Sequence, residues 1–280
     1  MHTVPSVSLS NGVKMPQLGY GVYKVPPRDT ADLVTLALES GYRSIDTAAL
    51  YGNETGVGRA VRDATGGGAG GLEREELFVT TKIWNDAHGY RAALQAYEES
   101  LSQLQLEYVD LLLIHWPCPV KDLYVETYQA LESLYHQGRV RAIGVSNFEP
   151  EHLRRLLDAT EVVPVVNQVE LHPYLQQTAL RDFHETHGIR TEAWSPLGRG
   201  AVLQDSTLQQ LAAKHNTSVS QVILRWHFQL GNIAIPKASS VERIKQNIDV
   251  FDFVLDADDL DTIGQLDRGQ RMGSHPNEVN

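Results

Sequence analysis

The residues best suited to chemistry lie where apolar segments of the sequence end. Asp46 ends a short apolar strand, and Tyr51 follows it in a loop of small residues. Lys82 and His115 end two further apolar segments in the same way. Each has an ordinary structural explanation, because a strand-end Asp often caps a turn and a buried His is often a hydrogen-bonded core residue. Their recurrence at strand ends makes a shared site the better interpretation.

Together, these four residue types could transfer a proton to a carbonyl oxygen. A Lys beside a buried Asp forms a pair that persists at low dielectric. The ammonium group stabilises a phenolate, so we expect it to lower the tyrosine pKa and suit the phenol for proton transfer near neutral pH. An imidazole can orient the carbonyl by a hydrogen bond. Reduction would also need a hydride, which no side chain supplies, so the chemistry requires a cofactor.

Strand and helix segments alternate along the chain and must position these residues. The predicted strands are Leu18–Val22, Arg43–Asp46, Leu77–Lys82, Val109–His115, Val140–Ser146, Val165–Leu171, Arg190–Ser195 and Ile233–Lys237. The predicted helices are Thr30–Ser40, Glu54–Ala64, Tyr90–Leu104, Asp122–Gln137, Pro150–Ala159, Gln177–His187, Val241–Val250 and Ala257–Leu266. Two capping boxes, Ser206-x-x-Gln209 and Ser218-x-x-Gln221, open two more helices.

This alternation predicts an α/β fold. Apolar parallel strands joined by helices form either a closed (β/α)8 barrel or a doubly wound sheet. Eight units in 280 residues, without a visible linker, favour a single (β/α)8 TIM barrel domain over 1–280. Asn11-Gly12 in an alternating segment predicts a short N-terminal β-hairpin, and a C-terminal helix and tail follow the barrel. Such barrels carry their chemistry at the carboxyl ends of the strands.

Composition excludes several classes of function. The net charge is -11 with a pI near 5.4, and no Lys/Arg run provides the basic face of a nucleic-acid binder. No apolar run approaches the roughly 20 residues of a membrane span, and the first residues lack a signal-peptide pattern. A single cysteine, Cys118, excludes an internal disulfide and is interpreted as a packing residue. We therefore expect a cytoplasmic globular protein.

Two further motifs are interpreted as structural. Gly66–Gly71 formally matches G-x-G-x-x-G, but a helix precedes it and a strand follows, the reverse of the dinucleotide fingerprint. It is predicted to be a surface connection rather than a phosphate-binding loop. His184 and His187 flank Glu185 on a helix without a third ligand, so no metal site is expected.

The motifs as a whole resemble the aldo/keto reductase superfamily over essentially the entire chain. They are Ile-Asp-Thr-Ala-x-x-Tyr-Gly-Asn-Glu, Thr-Thr-Lys-Ile-Trp, Leu-Ile-His-Trp-Pro, Ile-Gly-Val-Ser-Asn-Phe, Asn-Gln-Val-Glu-Leu-His-Pro-Tyr and Ile-Pro-Lys. Within the superfamily, Gly-Val-Tyr-Lys-Val-Pro-Pro and the tail Ser274–Asn280 make the chain most similar to bacterial 2,5-diketo-D-gluconate reductases.

The resemblance implies a catalytic tetrad and an NADPH site. Tyr51 would be the general acid, Lys82 its pKa-lowering partner, Asp46 the anchor of Lys82, and His115 the group that orients the substrate. Trp194 would stack on the nicotinamide. The other residues at matching cofactor positions are Gly21, Val22, Ser146, Asn147, Gln168, Ser195, Leu197, Gly198, Lys237, Ser239, Ser240, Arg243, Gln246 and Asn247.

The phosphate end of this site also has a physical rationale. Lys237 and Arg243 lie at a predicted helix N-terminus, where backbone N–H groups favour an anion. A guanidinium can bind a phosphate with two hydrogen bonds, which favours NADPH over NADH. Ser239-x-x-Glu242 could equally be a capping box with solvated charges beside it, and both interpretations can hold together. Relatives usually have Ser directly after the Lys, where this chain has Ala238.

Aromatic residues just after strand ends match positions of the substrate pocket. These are Tyr23, Trp84, Asn85 and Trp116, beside His115, although large rings also pack in ordinary cores. Arg199, Arg268 and Arg271 could meet an anionic substrate.

The expected function is NADPH-dependent reduction of aldehydes or ketones by a monomer. The substrates would be sugar keto acids such as 2,5-diketo-D-gluconate, or small dicarbonyls such as methylglyoxal. One alternative is a non-catalytic NADPH-binding regulatory protein, against which the intact tetrad argues. Another is a metal-dependent hydrolase on the same barrel, which would need converging ligands that the sequence does not provide.

Overall fold

A closed barrel of eight parallel strands forms the centre of the molecule. The computed structural model describes residues 4–66 and 71–280. The strand order equals the chain order, as a βα repeat produces. The barrel strands are β3 (Tyr20–Gly21), β4 (Ser44–Asp46), β5 (Phe78–Ile83), β6 (Val109–Ile114), β7 (Val140–Ser146), β8 (Val166–Glu170), β9 (Arg190–Trp194) and β10 (Ile233–Ile235). The predicted (β/α)8 barrel is confirmed.

Ten α-helices in the described residues connect the strands or pack on the barrel. They are α1 (Pro27–Glu39), α2 (Glu54–Thr65), α3 (Tyr90–Leu104), α4 (Tyr124–His136), α5 (Pro150–Ala159), α6 (Thr178–Thr186), α7 (Ser206–Lys214), α8 (Val219–Gln229), α9 (Val241–Ile248) and α10 (Ala257–Gly264). Short 3-10 helices occur at Ala49–Tyr51, Arg74–Glu76, Asn85–Ala87, Gly198–Gln204 and Pro276–Glu278.

The barrel closes between its first and last strands. Leu18 bridges Ala234, and the Gly19 and Gly21 N–H groups donate to the Ala234 and Pro236 carbonyls. Gly21 permits this approach because a Cβ there would lie 3.0 Å from the Ile235 carbonyl oxygen. The closure brings the start of the chain beside its last strand.

The predicted N-terminal hairpin closes the opposite end of the barrel. Strand β1 (Ser6–Ser8) pairs antiparallel with β2 (Lys14–Pro16). Leu9 and Met15 belong to an apolar cluster with Leu111 and other inward-facing strand residues. Alternate residues of the same barrel strands, such as Leu112, pack instead against the helices, so strands β5 and β6 are buried on both faces.

Two of the predicted helix caps are wrong by one residue. Helix α7 is capped by Asp205, whose carboxylate accepts the Thr207 and Leu208 N–H groups, rather than by Ser206. Helix α9 is capped by Ser240 rather than Ser239. In both cases the residue just outside the first helical residue is the one whose side chain reaches the free N–H groups. The capping box at Ser218 is confirmed.

The Gly66–Gly71 segment is described only at its two ends. Residues 67–70 lie outside the described residues, so the prediction of a surface connection there stays a prediction.

Gly58 provides a test of the packing between α2 and α3. A Cβ at this position would lie 1.8 Å from the Leu104 carbonyl oxygen. We expect Gly58→Ala to lower the free energy of unfolding by about 1–3 kcal/mol or more, because the helices must separate. Gly264→Ala is the matched control, since nothing lies within 4 Å of its Cβ. Denaturant unfolding measures both, and equal stability of Gly58→Ala and the native protein would contradict this packing.

Candidate active site

A buried ion pair lies at the carboxyl ends of β4 and β5. The Lys82 ammonium is fully buried and donates to Asp46 Oδ1 at 2.7 Å and to the Thr47 carbonyl at 2.9 Å. Burial alone would lower the pKa of Lys82, but the Asp46 carboxylate and the Tyr51 phenol raise it above its ordinary value. Lys82 is therefore charged at neutral pH, as the sequence predicts for this pair.

Tyr51 lies against this pair, with its hydroxyl 3.4 Å from Lys82 Nζ. Burial raises the pKa of Tyr51 to about 12, although Lys82 acts in the opposite direction. The expectation of a net lowered pKa is therefore wrong, because burial of the phenol outweighs the nearby ammonium. A phenol keeps its proton at neutral pH with or without this rise, and the effect of Lys82, which lowers the pKa, is the one that favours release of the proton.

The Tyr51 loop is held by Asn53, which the sequence analysis did not identify. Asn53 Nδ2 donates to the Val22 and Val25 carbonyls, and Asn53 Oδ1 accepts from the Thr47 hydroxyl. These bonds link the loop after β4 to the loop after β3. The side chain thereby positions Tyr51 without touching the cavity.

His115 lies on the other side of Tyr51. Its ring makes edge contacts with the rings of Tyr51 at 5.7 Å and Trp84 at 5.0 Å, and it stacks with Trp116. Burial, and then Lys82, hold the pKa of His115 well below its ordinary value. The imidazole is neutral at pH 7 and has one N–H to donate.

A chain of amide groups extends from Asp46 across the barrel. Gln168 Nε2 donates to Asp46 Oδ2 and to Glu192 Oε2, at 2.8 Å each. Glu192 is fully buried, and burial, then Asp46, raise its pKa to about 8. Glu192 was not predicted as a site residue, although an acid in the middle of a strand is itself a signal.

Asn147 connects three parts of the site. Its backbone is left-handed, with φ 63°. Its side chain donates to the His115 carbonyl and to the Ser146 hydroxyl, and accepts from Trp194 Nε1 at 2.8 Å. The indole of Trp194 is therefore fixed at the cavity wall, and the predicted group of Ser146, Asn147, Gln168 and Trp194 comes together.

One cavity of about 700 Å³ extends between two ends of the site. The reacting end is the one lined by Tyr51 and His115, and the basic end is the one lined by Lys237 and Arg243. Lys237 and Arg243 are exposed at the basic end, and neither has a carboxylate within ion-pairing distance in the described part of the chain. The predicted residues that line the cavity are Gly21, Tyr23, Asp46, Tyr51, Trp84, His115, Trp116, Ser146, Asn147, Gln168, Trp194, Ser195, Leu197, Lys237, Arg243, Gln246 and Asn247.

Six predicted site residues do not line this cavity. Val22 is fully buried, and the Asn85 carbonyl accepts from Lys121 Nζ. Lys82 lies behind Asp46 and Tyr51, and Ser240 caps α9. The remaining two are Gly198 and Ser239.

Several lining residues were not predicted as cofactor or substrate residues. Lys24, Leu50, Pro196 and Pro236 directly adjoin predicted ones, so their place in the sequence was the available signal. Ser274 and Val279 reach the cavity from the C-terminal tail, for which no sequence pattern gave a position. The others are Gly200, Leu203, Ser220 and Ile235, together with Arg199, which was considered only for an anionic substrate.

The three arginines considered for an anionic substrate lie in different surroundings. Arg199 lines the cavity beside the Trp194 ring, with 5.8 Å between the guanidinium carbon and the ring centroid. Arg268 stacks on the Tyr174 ring, and Arg271 donates to Glu149. Only Arg199 is thus placed to meet a ligand in this cavity.

Of the residues interpreted as structural, His184 and Cys118 are buried and His187 is exposed. His184 contacts Asn167 and Thr191, and burial lowers its pKa to about 3. No group of three potential metal ligands occurs among residues 4–66 and 71–280. Burial raises the pKa of the Cys118 thiol to about 11, which disfavours a nucleophile.

None of the helices in the described chain is long and apolar enough to cross a membrane.

Comparison with known proteins identifies the family. The aldo/keto reductase family model matches residues 9–268. The glyoxal reductase of Bacillus subtilis is 50% identical over 98% of this chain and 97% of its own, and the methylglyoxal reductase DkgA of Escherichia coli is 45% identical over 97% of each. The solved structure of a Gox0644 variant in complex with NADPH has a TM-score of 0.94 and 51% identity, with both chains fully covered. The chain belongs to the aldo/keto reductase family, as its sequence motifs predicted.

Proposed function

We propose that this chain reduces a small dicarbonyl compound to a hydroxycarbonyl compound, with Tyr51 as the proton donor. The chain is an aldo/keto reductase, and NADPH is its cofactor. The observation that carries the proposal is the contact between the Tyr51 hydroxyl and the buried Lys82–Asp46 pair at the inner end of the cavity. The named activities of the glyoxal and methylglyoxal reductases support the dicarbonyl class.

The residues around the cavity fit an extended dinucleotide. Lys237 and Arg243 offer two cations for phosphate groups at the exposed end. Ser146, Asn147 and Gln168 offer polar groups for the nicotinamide carboxamide, and the Trp194 indole offers an aromatic face. When bound, NADPH supplies the hydride.

The protein's own residues supply the proton. Tyr51 carries it at neutral pH, since the ordinary pKa of a phenol already lies well above 7 and burial raises it further. The phenol gives this proton to the carbonyl oxygen, and the Lys82 ammonium stabilises the phenolate that remains. Neutral His115 donates a hydrogen bond to the same oxygen and orients the carbonyl. The rings of Tyr23, Trp84 and Trp116 line the cavity beside His115 and offer apolar surface to the substrate.

A second substrate class, sugar keto acids such as 2,5-diketo-D-gluconate, is favoured by Arg199. This guanidinium lines the cavity and has no carboxylate partner in the described part of the chain. It could bind the carboxylate of such a substrate.

The domain organisation, oligomeric state, location and partners of the chain are also proposed. We propose that the chain is a single domain, acts as a monomer in the cytoplasm and binds no nucleic acid. A non-catalytic NADPH-binding role stays the alternative to catalysis, and the turnover experiment separates the two.

Turnover identifies the substrate class. Loss of NADPH absorbance is followed with methylglyoxal and with 2,5-diketo-D-gluconate, and NADH serves as the cofactor control. We expect methylglyoxal to be reduced, and Arg199→Ala to leave this activity within about threefold, since the substrate carries no charge. Preference for the sugar acid, lost in Arg199→Ala, would replace the dicarbonyl proposal. Tight NADPH binding without turnover of either would favour the non-catalytic role.

Removal of the Tyr51 hydroxyl tests the proton donor. Tyr51→Phe should lower kcat by about 10²–10⁴-fold, because general acid catalysis is lost. The Kd for NADPH should stay near that of the native protein. Tyr90→Phe, at an exposed tyrosine outside the cavity, is the control. Full turnover by Tyr51→Phe would exclude this mechanism.

Arg243 tests the phosphate end. Arg243→Ala should weaken NADPH binding by about 10–100-fold and NADH binding much less, because charge-assisted hydrogen bonds to a phosphate are lost. Lys245→Ala is the matched control, since Lys245 is exposed on the same helix and does not line the cavity. Equal weakening of both cofactors in fluorescence titrations would remove the 2′-phosphate assignment.

A further inference from the structure

Glu192 is a buried acid that the proposed reaction does not use. It lies in the middle of β9, directly opposite Gln168 on β8. Its Oε2 accepts from Gln168 Nε2 at 2.8 Å. Its Oε1 is buried and has no hydrogen-bond partner in residues 4–66 and 71–280. Burial of a carboxyl group costs free energy. Glu192 contacts the site through its hydrogen bond from Gln168, so we expect its role to lie in that bond.

That hydrogen bond uses the second hydrogen of the Gln168 amide nitrogen. The same nitrogen donates to Asp46 Oδ2 at 2.8 Å, and a carboxamide nitrogen carries two hydrogens. The opposite amide orientation would place the Gln168 carbonyl oxygen against the Asp46 carboxylate, which repels it. Asp46 therefore selects the orientation, and Glu192 holds the amide group against rotation.

We propose that Glu192 is a positioning residue that, with Asp46, fixes the Gln168 carbonyl oxygen toward the cavity as an acceptor for the amide N–H group of the nicotinamide carboxamide. This inference rests on the proposed NADPH site. It assigns a role to a residue that touches neither cofactor nor substrate and acts only through Gln168.

The proposed role depends on an acceptor oxygen and not on a negative charge. The charged groups that act on Glu192 are Asp46 from β4, which disfavours its ionisation, and Lys82 from β5, which favours it. Burial comes before both as a cause, and the resulting pKa of about 8 leaves Glu192 neutral at pH 7. A glutamine at this position keeps both the neutral state and an acceptor oxygen.

Binding of two ligands tests the proposal. In Glu192→Met the acceptor is lost, and we expect the Kd for NADPH to rise about tenfold, as for loss of a fixed buried hydrogen bond. Adenosine 2′,5′-bisphosphate lacks the nicotinamide, so its Kd should not change. Glu192→Gln should restore the NADPH Kd to within about threefold. Quenching of tryptophan fluorescence at pH 7 reports all of these constants.

Two further variants separate positioning from general destabilisation. Glu132→Met removes a buried acid of α4 that accepts the Glu161 and Val162 N–H groups outside the cavity. It should lower the Tm without changing either Kd. In a Gln168→Leu background, Glu192→Met should add no further rise in the NADPH Kd, because the residue through which it acts is gone.

Four results would overturn the inference. They are an unchanged NADPH Kd in Glu192→Met, an equal rise in Glu192→Gln, an equal loss of adenosine 2′,5′-bisphosphate binding, and an undiminished effect in the Gln168→Leu background. A native protein that does not bind NADPH would instead refute the proposed function, so the two failures differ.

The native protein gives a test that needs no folded Glu192→Met variant. The two side-chain amide hydrogens of Gln168 are assigned in NMR spectra by their loss in Gln168→Leu. Both should exchange with solvent more slowly than those of the exposed Gln210. Their shifts should change with a midpoint near pH 8 as Glu192 ionises. Fast exchange of either hydrogen would overturn the proposed orientation.

Discussion

The site depends on one ammonium group that has no access to water. Lys82 is fully buried, so its charge is compensated by the Asp46 carboxylate and by the Thr47 carbonyl. Removal of one partner from such a pair costs about 3–5 kcal/mol, because an uncompensated charge is left behind. The second oxygen of Asp46 is held in turn by Gln168. The geometry of the reacting end is therefore fixed by charge balance inside the barrel.

Charge balance also explains the protonation of the other groups. With Lys82 and Asp46 ionised, a further charge nearby would be buried without a counterion. Burial accordingly keeps Tyr51 protonated, His115 neutral and Glu192 protonated at pH 7. A neutral donor and a neutral hydrogen-bonding ring are what proton delivery to a carbonyl needs. The same low dielectric that makes the ion pair necessary thus prepares its neighbours for the reaction.

The site residues at strand ends could be predicted from the sequence, because the local pattern of apolar and polar residues shows where a strand ends. Asp46, Lys82 and His115 follow apolar segments, and the barrel brings those ends together. Glu192 was not predicted because it lies within a strand. Its contact with Gln168 depends on the register of β8 against β9, which the local sequence does not give. The net pKa of Tyr51 was predicted with the wrong sign, because its degree of burial depends on the closed cavity. Caps at Asp205 and Ser240 differ by one residue from those predicted, since neighbouring residues both suited the role.

The C-terminal tail shows a further limit of local pattern and a further consequence of the buried network. Glu170 ends β8 and accepts the N–H groups of Met272 and Gly273, which holds the tail across the mouth of the barrel. His172 approaches the same carboxylate. Burial raises the pKa of Glu170, but the hydrogen bonds from His172, Met272 and Gly273 together lower it below its ordinary value. Ser274, just beyond this contact, lines the cavity. Strand β8 thus directs Gln168 toward Asp46 and Glu170 toward the tail, and the two residues lie two positions apart on one face. A shift of this strand would move both Gln168 and the tail at Met272 and Gly273, so these two parts of the cavity lining are coupled through β8.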